Sequence, residues 1–232
     1  MNKGALRFYK KIRDKKYNPK NICEIGVYLP QESNVIGFIN ENIQTTLIEA
    51  DPVYVSNIKD YFAERNNITV IEAAVFDFKG EVELCKRASS TFISQLKSSP
   101  AMVNDDCNVS DEEKFTANSI VFSEVDKGTF DLVSIDIEGA EWYVIKYMIS
   151  RPDIISIETH GKYYTNPNII EIINWMRTNN YIEWYKDKSD TIYIKRGVFP
   201  VSIYEKLQLF FVGIVNNILK MKKLIKKYLK ID

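Results

Sequence analysis

The chain has 232 residues, of which 45% are hydrophobic and 27% are charged, and its formal net charge is zero. This composition is typical of a globular protein and excludes a disordered or collagen-like chain. A chain of this length predicts one α/β domain, or one domain with a short appendage, that buries a large core without disulfide or metal crosslinks. Cys23, Cys85 and Cys107 do not form the pattern of a disulfide framework or a zinc site, which favours a reducing compartment.

The charge is unevenly distributed along the chain. Residues 1–20 contain eight Lys and Arg against one Asp, and residues 206–232 contain seven Lys against one Asp. The two ends therefore carry +7 and +6, and the segment between them carries −13. An acidic body argues against nucleic-acid binding, whereas the basic ends suit anionic lipid or another acidic partner. The charged N-terminus lacks the apolar stretch of a secretory signal, so we expect a cytoplasmic protein, either free or peripheral to the inner face of the membrane.

The first half of the chain predicts strands separated by turns and one helix. The predicted strands are residues 21–26, 45–50, 68–76 and 81–85. Asp51 suits a helix N-cap and Pro52 the first helical position, and apolar residues then recur at helical spacing. Residues 86–118 are rich in Ser, Asn and Asp without a clean period, which indicates an insertion that is either a functional lid or a plain excursion.

The second half alternates strands and helices. The predicted strands are residues 130–137, 153–160, 181–185 and 191–195, and helical spacing occurs in residues 139–149. Asn166 and Pro167 repeat the cap-then-proline signal before another helix. This alternation predicts an α/β fold with a mainly parallel sheet that is covered by helices on both faces, over a domain of residues 21–200.

Residues 201–232 predict a basic amphipathic helical tail. Its apolar residues fall at spacings of three and four, and its lysines cluster in the last turns. Asn216 and Asn217 interrupt the apolar stretch, which is shorter than a membrane-spanning helix requires. Three interpretations remain open: the tail lies in an anionic membrane interface, pairs with a second subunit in a homo-oligomer, or folds back on its own domain.

Four acidic residues fall at the carboxyl ends of predicted strands, where open parallel sheets bind ligands. They are Glu24, Glu49, Asp136 and Glu158. Glu49 follows Gly26 by 23 residues, close to the separation of ~20 at which an acid meets ribose hydroxyls in nucleotide-binding units. No second or third glycine follows Gly26 in the usual pattern, which argues against a pyrophosphate cradle. A nucleoside ligand without phosphates, such as S-adenosylmethionine, therefore fits better than NAD or FAD.

The chain from about residue 20 to residue 196 resembles the FkbM-type family of S-adenosylmethionine-dependent methyltransferases. The most specific block, residues 131–141 (DLVSIDIEGAE), is similar to the family signature DLLKIDVEGAE. Supporting blocks are Glu24-Ile-Gly26, Glu49-Ala-Asp51-Pro52, Ala73-Ala74-Val75 with Lys79-Gly80-Glu81, and Ile157-Glu158-Thr-His160. The chain departs from the family where Pro30 occupies the place of the second glycine in the first loop.

The resemblance implies a Rossmann-like sheet of seven strands, the last one antiparallel, and methyl transfer to a hydroxyl oxygen. It further implies roles for residues at the cofactor. Glu24 and Gly26 would line the methionine end, Glu49 would hold the ribose diol with Ala50 beside it, and Ala74 would lie near the adenine. Asp136 would face the cofactor amine or the acceptor.

We expect the acceptor beside Asp136 and His160. His160 is the single histidine of the chain, and its ordinary pKa near ~6.5 suits proton removal at neutral pH, so it is the candidate general base, with Asp136 orienting it or the acceptor. A loop histidine in contact with solvent is the plainer interpretation. Lys162, Tyr163 and Tyr164 are candidate substrate contacts. Asp136, Glu138 and Glu158 could instead collect a divalent cation, but nothing in their spacing requires one and no metal site is favoured.

We therefore expect an S-adenosylmethionine-dependent O-methyltransferase acting on a small-molecule or carbohydrate-type acceptor, a substrate class that the family suggests. Two alternatives belong to other classes: a nicotinamide-dependent sugar-modifying enzyme, and a catalytically silent, membrane-attached binding protein with the same fold. Binding of S-adenosylmethionine or of NAD would discriminate between them.

Overall fold

The computed structural model describes residues 3–87, 90–96, 98–104, 114–161, 164–187 and 189–229. The candidate contacts Lys162 and Tyr163 lie outside these residues. The helices are α1 (Lys3–Asp14), α2 (Ile36–Ile39), α3 (Pro52–Tyr61), α4 (Pro100–Asn104), α5 (Glu141–Lys146), α6 (Ile169–Thr178) and α7 (Ile203–Leu229). The strands are β1 (Asn21–Ile25), β2 (Gln44–Glu49), β3 (Ile68–Glu72), β4 (Ala74–Val75), β5 (Gly80–Arg87), β6 (Ser90–Ile93), β7 (Lys114–Ile120), β8 (Leu132–Ile135), β9 (Ile154–Glu158), β10 (Tyr181–Lys186) and β11 (Asp190–Lys195).

The main sheet has seven strands in the order β10-β11-β9-β8-β1-β2-β3. Strand β11 runs antiparallel to both of its neighbours, and the pairs on the other side of β9 are parallel. The predicted seven-stranded sheet with an antiparallel last strand is therefore confirmed. This topology brings the ends of β1, β2, β8 and β9 to one edge, together with the beginning of β11.

The sheet is covered on both faces because neighbouring residues of its central strands alternate between two cores. Ile22 belongs to the core that also contains buried side chains of α1, α2 and α3. Cys23 belongs to the opposite core, which contains side chains of α5 and α6. Side chains of successive strand residues point to opposite faces, so continuous apolar strands such as these must be covered twice.

A second sheet, in the order β4-β7-β5-β6, was not predicted. The predicted strand 68–76 is divided at Ala73, because β3 ends in the main sheet and β4 pairs with β7 in the second one. The described part of the predicted insertion 86–118 contributes β6, α4 and β7. Part of that insertion is therefore regular structure beside the main sheet.

Helix boundaries agree with the sequence at one predicted cap and differ at the other. Asp51 caps α3 by accepting a hydrogen bond of 2.8 Å from the Val53 amide, and Pro52 begins the helix as predicted. The prediction that Asn166 caps α6 is wrong, because the N-cap residue is Asn168. The Asn166 side chain instead accepts from the Asn168 amide at 2.9 Å and donates to Glu141.

Helix α1 was not predicted, because the prediction for residues 1–20 rests only on their basic charge. Its buried residues Ala5, Phe8 and Ile12 pack into the core beneath the main sheet. The spacing of three and four between these residues is the signal of an amphipathic helix. Five of the eight basic residues of the N-terminal segment therefore sit on a helix whose apolar face is already covered by the domain.

Helix α7 leaves the domain beside β10 and carries an exposed apolar face. Glu205 ties its first turn to the domain, accepting hydrogen bonds of 2.7 Å from Lys15 Nζ and from Trp184 Nε1. The exposed large apolar side chains are Ile203, Tyr204, Leu207, Phe210, Phe211, Ile214 and Val215. In the described part of the chain, no helix combines the length and apolarity needed to cross a membrane.

Candidate active site

Glu24 is a buried carboxylate within β1, at the base of the first loop. Ser33 Oγ donates to its Oε2 at 2.5 Å, and the Asn34 amide donates to its Oε1 at 2.7 Å. Burial raises the pKa of Glu24 from its ordinary value of 4.5 to about 7, although both hydrogen bonds oppose that change. Glu24 therefore fixes the loop that crosses the sheet edge and can exchange a proton near neutral pH.

Gly26 lies against the backbone of Asp136 where β1 and β8 end side by side. Gly26 has φ +82°, and a Cβ atom added to it would lie 1.8 Å from the Asp136 carbonyl oxygen. The Asp136 amide donates to the Ile25 carbonyl at 2.9 Å, which holds the two strand ends in register. Glycine is required here by both the left-handed backbone and the close approach.

Glu49 organises the loops on both sides of β2. Its Oε2 accepts hydrogen bonds of 3.0 Å from the amides of Val27 and Tyr28, and its Oε1 accepts from the amides of Ala50 and Asp51 at 2.8 and 2.9 Å. These four bonds use the acceptor positions of a carboxylate. A ribose diol at this carboxylate, the role that the resemblance implies, would have to share oxygens that now hold the loop. Tyr28 has a positive φ of 59°, and the hydrogen bond from its amide to Glu49 holds this conformation in the loop that leads to Pro30.

A first cavity of about 280 Å³ opens at the carboxyl ends of β1, β2 and β8. Five of its lining residues are acidic, namely Glu24, Glu32, Glu49, Asp136 and Glu138. Lys and Arg are absent from the described lining. Ala50, Ala73, Ala74, Leu84 and Ile93 form an apolar wall, part of which comes from the second sheet.

This lining fits S-adenosylmethionine and fits a dinucleotide poorly. A sulfonium and an ammonium group are stabilised by nearby carboxylates, whereas a pyrophosphate needs cations or several amides directed at it. The apolar wall at Ala74 suits an adenine ring. The predicted residues Glu24, Gly26, Glu49, Ala50, Ala74 and Asp136 all line this one cavity.

A second cavity of about 590 Å³ lies on the other side of Asp136. Asp136 and Asn34 line both cavities, so these two residues mark the place where the cavities meet. The walls of the second cavity come from α1, from the end of β10 and from the turn leading into β11. A molecule in this cavity would face the first cavity across Asp136.

The sheet edge beneath the cavities carries a cluster of five carboxyl groups. Glu141 and Glu158 are buried, and Asp136, Glu138 and Asp190 are half-buried. Burial, reinforced by the neighbouring carboxyl groups, raises the pKa values of Asp136 and Glu158 well above their ordinary range. Burial also raises the pKa of Glu141 to about 7 and that of Asp190 to about 6. Among the described residues, no group of three or more potential ligands is arranged to hold a metal ion.

Two of the predicted acceptor-side residues lie away from the cavities. His160 is half-buried, with Nδ1 2.9 Å from Thr159 Oγ1, and is absent from the described linings of both cavities. Tyr164 is fully buried, and its Oη would lie 3.3 Å from a Cβ atom on Gly139. The structure thus brings Asp136 to the meeting point of the cavities but not the two residues expected beside it.

Sequence reasoning missed Asn34, Arg7 and Asp190 as lining residues. Asn34 follows Glu24 by ten residues, and its backbone amide donates a hydrogen bond to the Glu24 side chain. No sequence motif indicates this contact. Asp190 begins β11 directly opposite Glu158. The sequence offered one signal for Asp190, its position directly before an apolar run. An antiparallel strand begins at the edge where its parallel neighbours end, so a residue at the start of such a strand lies at the site.

The order of the main sheet and the acid-lined cavity at its carboxyl edge define a Rossmann-like methyltransferase fold. The family model described as the Methyltransferase FkbM domain matches residues 24–183. The chain therefore belongs to the FkbM methyltransferase family and is an S-adenosylmethionine-dependent methyltransferase. No curated protein matches the chain in sequence.

Solved structures similar to the chain share little sequence with it. A putative caffeoyl-CoA O-methyltransferase from Staphylococcus aureus is 15% identical, with coverage of 84% of this chain and 84% of that chain, at a TM-score of 0.47. The SAH-bound methyltransferase PaMTH1 from Podospora anserina is 14% identical, with coverage of 83% and 77%, at a TM-score of 0.43. A ribosomal protein L11 methylase from Lactobacillus delbrueckii subsp. bulgaricus is 10% identical, with coverage of 84% and 80%, at a TM-score of 0.44.

Proposed function

We propose that this methyltransferase methylates a hydroxyl oxygen of a small-molecule or carbohydrate-type acceptor, and that Asp136 receives the hydroxyl proton. One observation carries the proposal: Asp136 lines both the cavity that fits S-adenosylmethionine and the larger cavity next to it. The acceptor oxygen forms its bond to the methyl carbon as the bond from that carbon to the sulfonium sulfur breaks, the electron pair stays on sulfur, and the hydroxyl proton passes to the carboxylate.

The raised pKa of Asp136 and its position between the two cavities support its role as the base. A carboxyl group with a raised pKa is a stronger base when ionised than an ordinary carboxylate, which favours proton transfer from a weakly acidic hydroxyl. A cation bound in the first cavity favours the ionised form of Asp136. Because the two cavities adjoin at Asp136, an acceptor in one and a donor in the other can meet beside this residue, which provides the proximity on which displacement reactions depend. The sequence predicts His160 as the general base. Because His160 is absent from the described linings of both cavities, we propose Asp136 as the base instead.

The test compares Asp136→Asn with His160→Gln. We expect Asp136→Asn to lower the rate of S-adenosylhomocysteine release with hydroxylated acceptors by about 10²–10⁴-fold, the usual contribution of a general base. His160→Gln should retain a rate near that of the parent protein. Calorimetric titration with S-adenosylmethionine and with NAD, run on all three proteins, separates loss of chemistry from loss of binding. A rate that depends on His160 and not on Asp136 would return the base to His160, and binding of NAD alone would remove the methyltransferase assignment.

For the tail we propose an anionic membrane surface as the partner of α7. Seven large apolar side chains of its first half are exposed, with Ile203 at 77% and Phe210 at 63%. Between residues 206 and 231 the sequence has seven Lys and no acidic residue, so the helix is complementary in charge to an anionic bilayer. A second subunit and the chain's own domain are the alternative partners. Co-sedimentation with vesicles, together with the oligomeric state, distinguishes the membrane from a second subunit.

A further inference from the structure

The second cavity is lined by an unusual number of charged residues for a small-molecule site. Of its twelve lining residues, five are charged, and Asn34, Ser156 and Ser189 add neutral hydrogen-bonding groups. Sites for small ligands usually have only a few polar groups, which fix the orientation of the ligand. The eight charged and hydrogen-bonding residues of this lining favour a ligand with several polar groups, such as a polyol.

Helix α1 forms the positively charged wall of this cavity. Lys3, Gly4, Arg7 and Phe8 all line it, and their spacing of three and four places them on one face of the helix. Phe8 is buried in the core and anchors this face to the domain. The two cations of the lining, Lys3 and Arg7, are therefore held on a packed element rather than on a free terminus.

Two neighbouring side chains contact the guanidinium group of Arg7. Its Nη1 donates to Asp187 Oδ1 at 3.2 Å, and its guanidinium carbon lies 5.4 Å from the centroid of the Tyr185 ring. Asp187 and the aromatic face together hold the guanidinium group at the cavity wall. The contact with Asp187 uses one nitrogen of a planar group that has five N–H donors, so the guanidinium can bind an additional anion.

Two acidic residues of the lining, Asp136 and Asp190, lie at the sheet edge. The third, Asp187, lies in the turn after β10 and pairs with Arg7. The cavity therefore has its two cations on the helix side and two carboxyl groups at the sheet edge. An acceptor whose hydroxyl lies at Asp136 would extend towards Arg7, and a negative group on its far end would meet the cationic wall.

We propose that the second cavity binds the methyl acceptor, that this acceptor is a hydroxylated molecule carrying a carboxylate or phosphate group, and that Arg7 binds that anionic group. This inference rests on the proposed function, because it places the acceptor hydroxyl at Asp136. Nine of the twelve lining residues lie outside the matched range 24–183, so the specificity assigned here belongs to this chain. Arg7 is then the residue that determines whether an acidic or a neutral polyol is preferred.

The test uses D-glucuronate and D-glucose as probes that differ in one carboxylate. Saturation-transfer difference NMR, recorded in the presence of S-adenosylhomocysteine, measures the binding of each probe without any requirement for turnover. We expect the parent protein to bind glucuronate more tightly than glucose. Arg7→Gln should weaken glucuronate binding by about tenfold, as expected for loss of a hydrogen bond to a charged group, and should leave glucose unaffected. Arg7→Lys should recover part of the difference, because it keeps the positive charge.

Lys10→Gln is the matched control, since it removes one positive charge from an exposed position of the same helix that is not part of the lining. Thermal unfolding of each variant verifies that α1 is still docked. Equal binding of the two sugars, absence of binding by both, or an equal effect of Lys10→Gln overturns the inference. Failure of S-adenosylmethionine to bind the parent protein would defeat the proposed function instead, and glucuronate binding that depends on Arg7 would still support the assignment of the cavity.

Discussion

Gly26 and Asp136 are in direct backbone contact at the centre of the site, with room for no side-chain atom between them. The contact joins the loop after β1, which lines the first cavity, to Asp136, one of the two residues that line both cavities. We predict that Gly26→Ala destabilises the protein by about 3 kcal/mol or more, because it combines a left-handed backbone with a clash against main-chain atoms. S-adenosylmethionine affinity, measured by calorimetry, should fall by about tenfold or more.

The control for this variant is Gly197→Ala. Gly197 also has a positive φ, of 94°, but a Cβ atom there would meet nothing within 4 Å. It should therefore lower the free energy of unfolding by only about 1 kcal/mol, the cost of the backbone conformation alone, and leave cofactor affinity unchanged. Equal losses in the two alanine variants would show that the contact with Asp136 is unimportant.

Glu49→Gln should disturb the loops on both sides of β2. A glutamine side chain replaces one acceptor oxygen by an NH₂ group, which would face two backbone amides that now donate to a carboxylate oxygen. We predict a loss of about 3 kcal/mol in the free energy of unfolding, the penalty for buried donors left unpaired. Cofactor affinity should fall as well, because the loops held by Glu49 line the first cavity.

Glu72→Gln is the matched control for Glu49. Glu72 lies beside Glu49 in the register of β2 and β3, but its side chain is exposed and its ion pair with Lys59 is long, at 3.8 Å. Its substitution should change stability by less than about 0.5 kcal/mol. Urea unfolding of both variants and calorimetry with S-adenosylmethionine provide the measurements, and a Glu49→Gln protein as stable as Glu72→Gln would refute the role of the four amides.

The pKa of Glu24 predicts a dependence of stability on pH. Its value is raised in the folded protein from 4.5 to about 7, so between these pH values the folded state holds a proton that the unfolded chain has released. The contribution of Glu24 to the free energy of unfolding is therefore full below pH 4.5 and declines as the pH rises through about 7. The shift corresponds to a decline of about 3 kcal/mol.

Glu24→Gln should remove this part of the pH dependence. Glutamine can accept from the Asn34 amide and donate to Ser33 Oγ, which preserves the local contacts of Glu24 in the structure. The variant and the parent protein should have similar stabilities at pH 5, and the variant should be the more stable of the two at pH 8. Urea titrations at both pH values test this, and parallel pH profiles would contradict it.

The apolar face of α7 predicts binding to anionic vesicles. The double variant Phe210→Glu/Phe211→Glu should weaken co-sedimentation with mixed phosphatidylcholine–phosphatidylglycerol vesicles by about tenfold or more, because each exposed phenyl ring contributes about 1.5–3 kcal/mol when buried in lipid. Vesicles of phosphatidylcholine alone should bind the parent protein weakly. Light scattering in the absence of lipid measures the oligomeric state of the same samples.

Val53→Glu/Tyr61→Glu is the matched control for the tail. Both residues are exposed apolar side chains of one helix, α3, at 58% and 52%. This double variant should bind vesicles as the parent protein does. If the parent protein is a dimer that the α7 variant converts to a monomer, and neither binds vesicles, then α7 pairs with a second subunit.

The acids of the site could be predicted from sequence because their positions follow from short-range rules. Glu49 and Asp136 end or follow apolar strands, and the carboxyl ends of parallel strands must share one edge. Arg7 could not be found in this way, since its role depends on packing of α1 against β10 and β11, far away in sequence. The burial of Tyr164 was equally inaccessible, because its hydroxyl lies close to Gly139, which is far from it in sequence.

The second sheet shows a similar limit. The apolar run 68–76 reads as one strand, and only the separate pairing partners of β3 and β4 divide it. Helix α1, by contrast, carried a readable signal in Ala5, Phe8 and Ile12, which its many basic residues obscured. Local sequence patterns therefore predict a helix or strand that packs against one part of the fold. They do not predict the point at which a continuous apolar run passes from one sheet to another, because that point depends on strands distant in sequence.

The separation of the two cavities has a consequence for how this chain could be re-engineered. The first cavity is lined by residues between 24 and 140, while the second cavity is mostly enclosed by α1 and the β10–β11 hairpin. Under the proposed function, grafting those two pieces from another member of the family should transplant acceptor preference and leave the first cavity intact. Members of the family could then diverge in substrate range through changes at the two ends of the chain, while the catalytic centre stays constant.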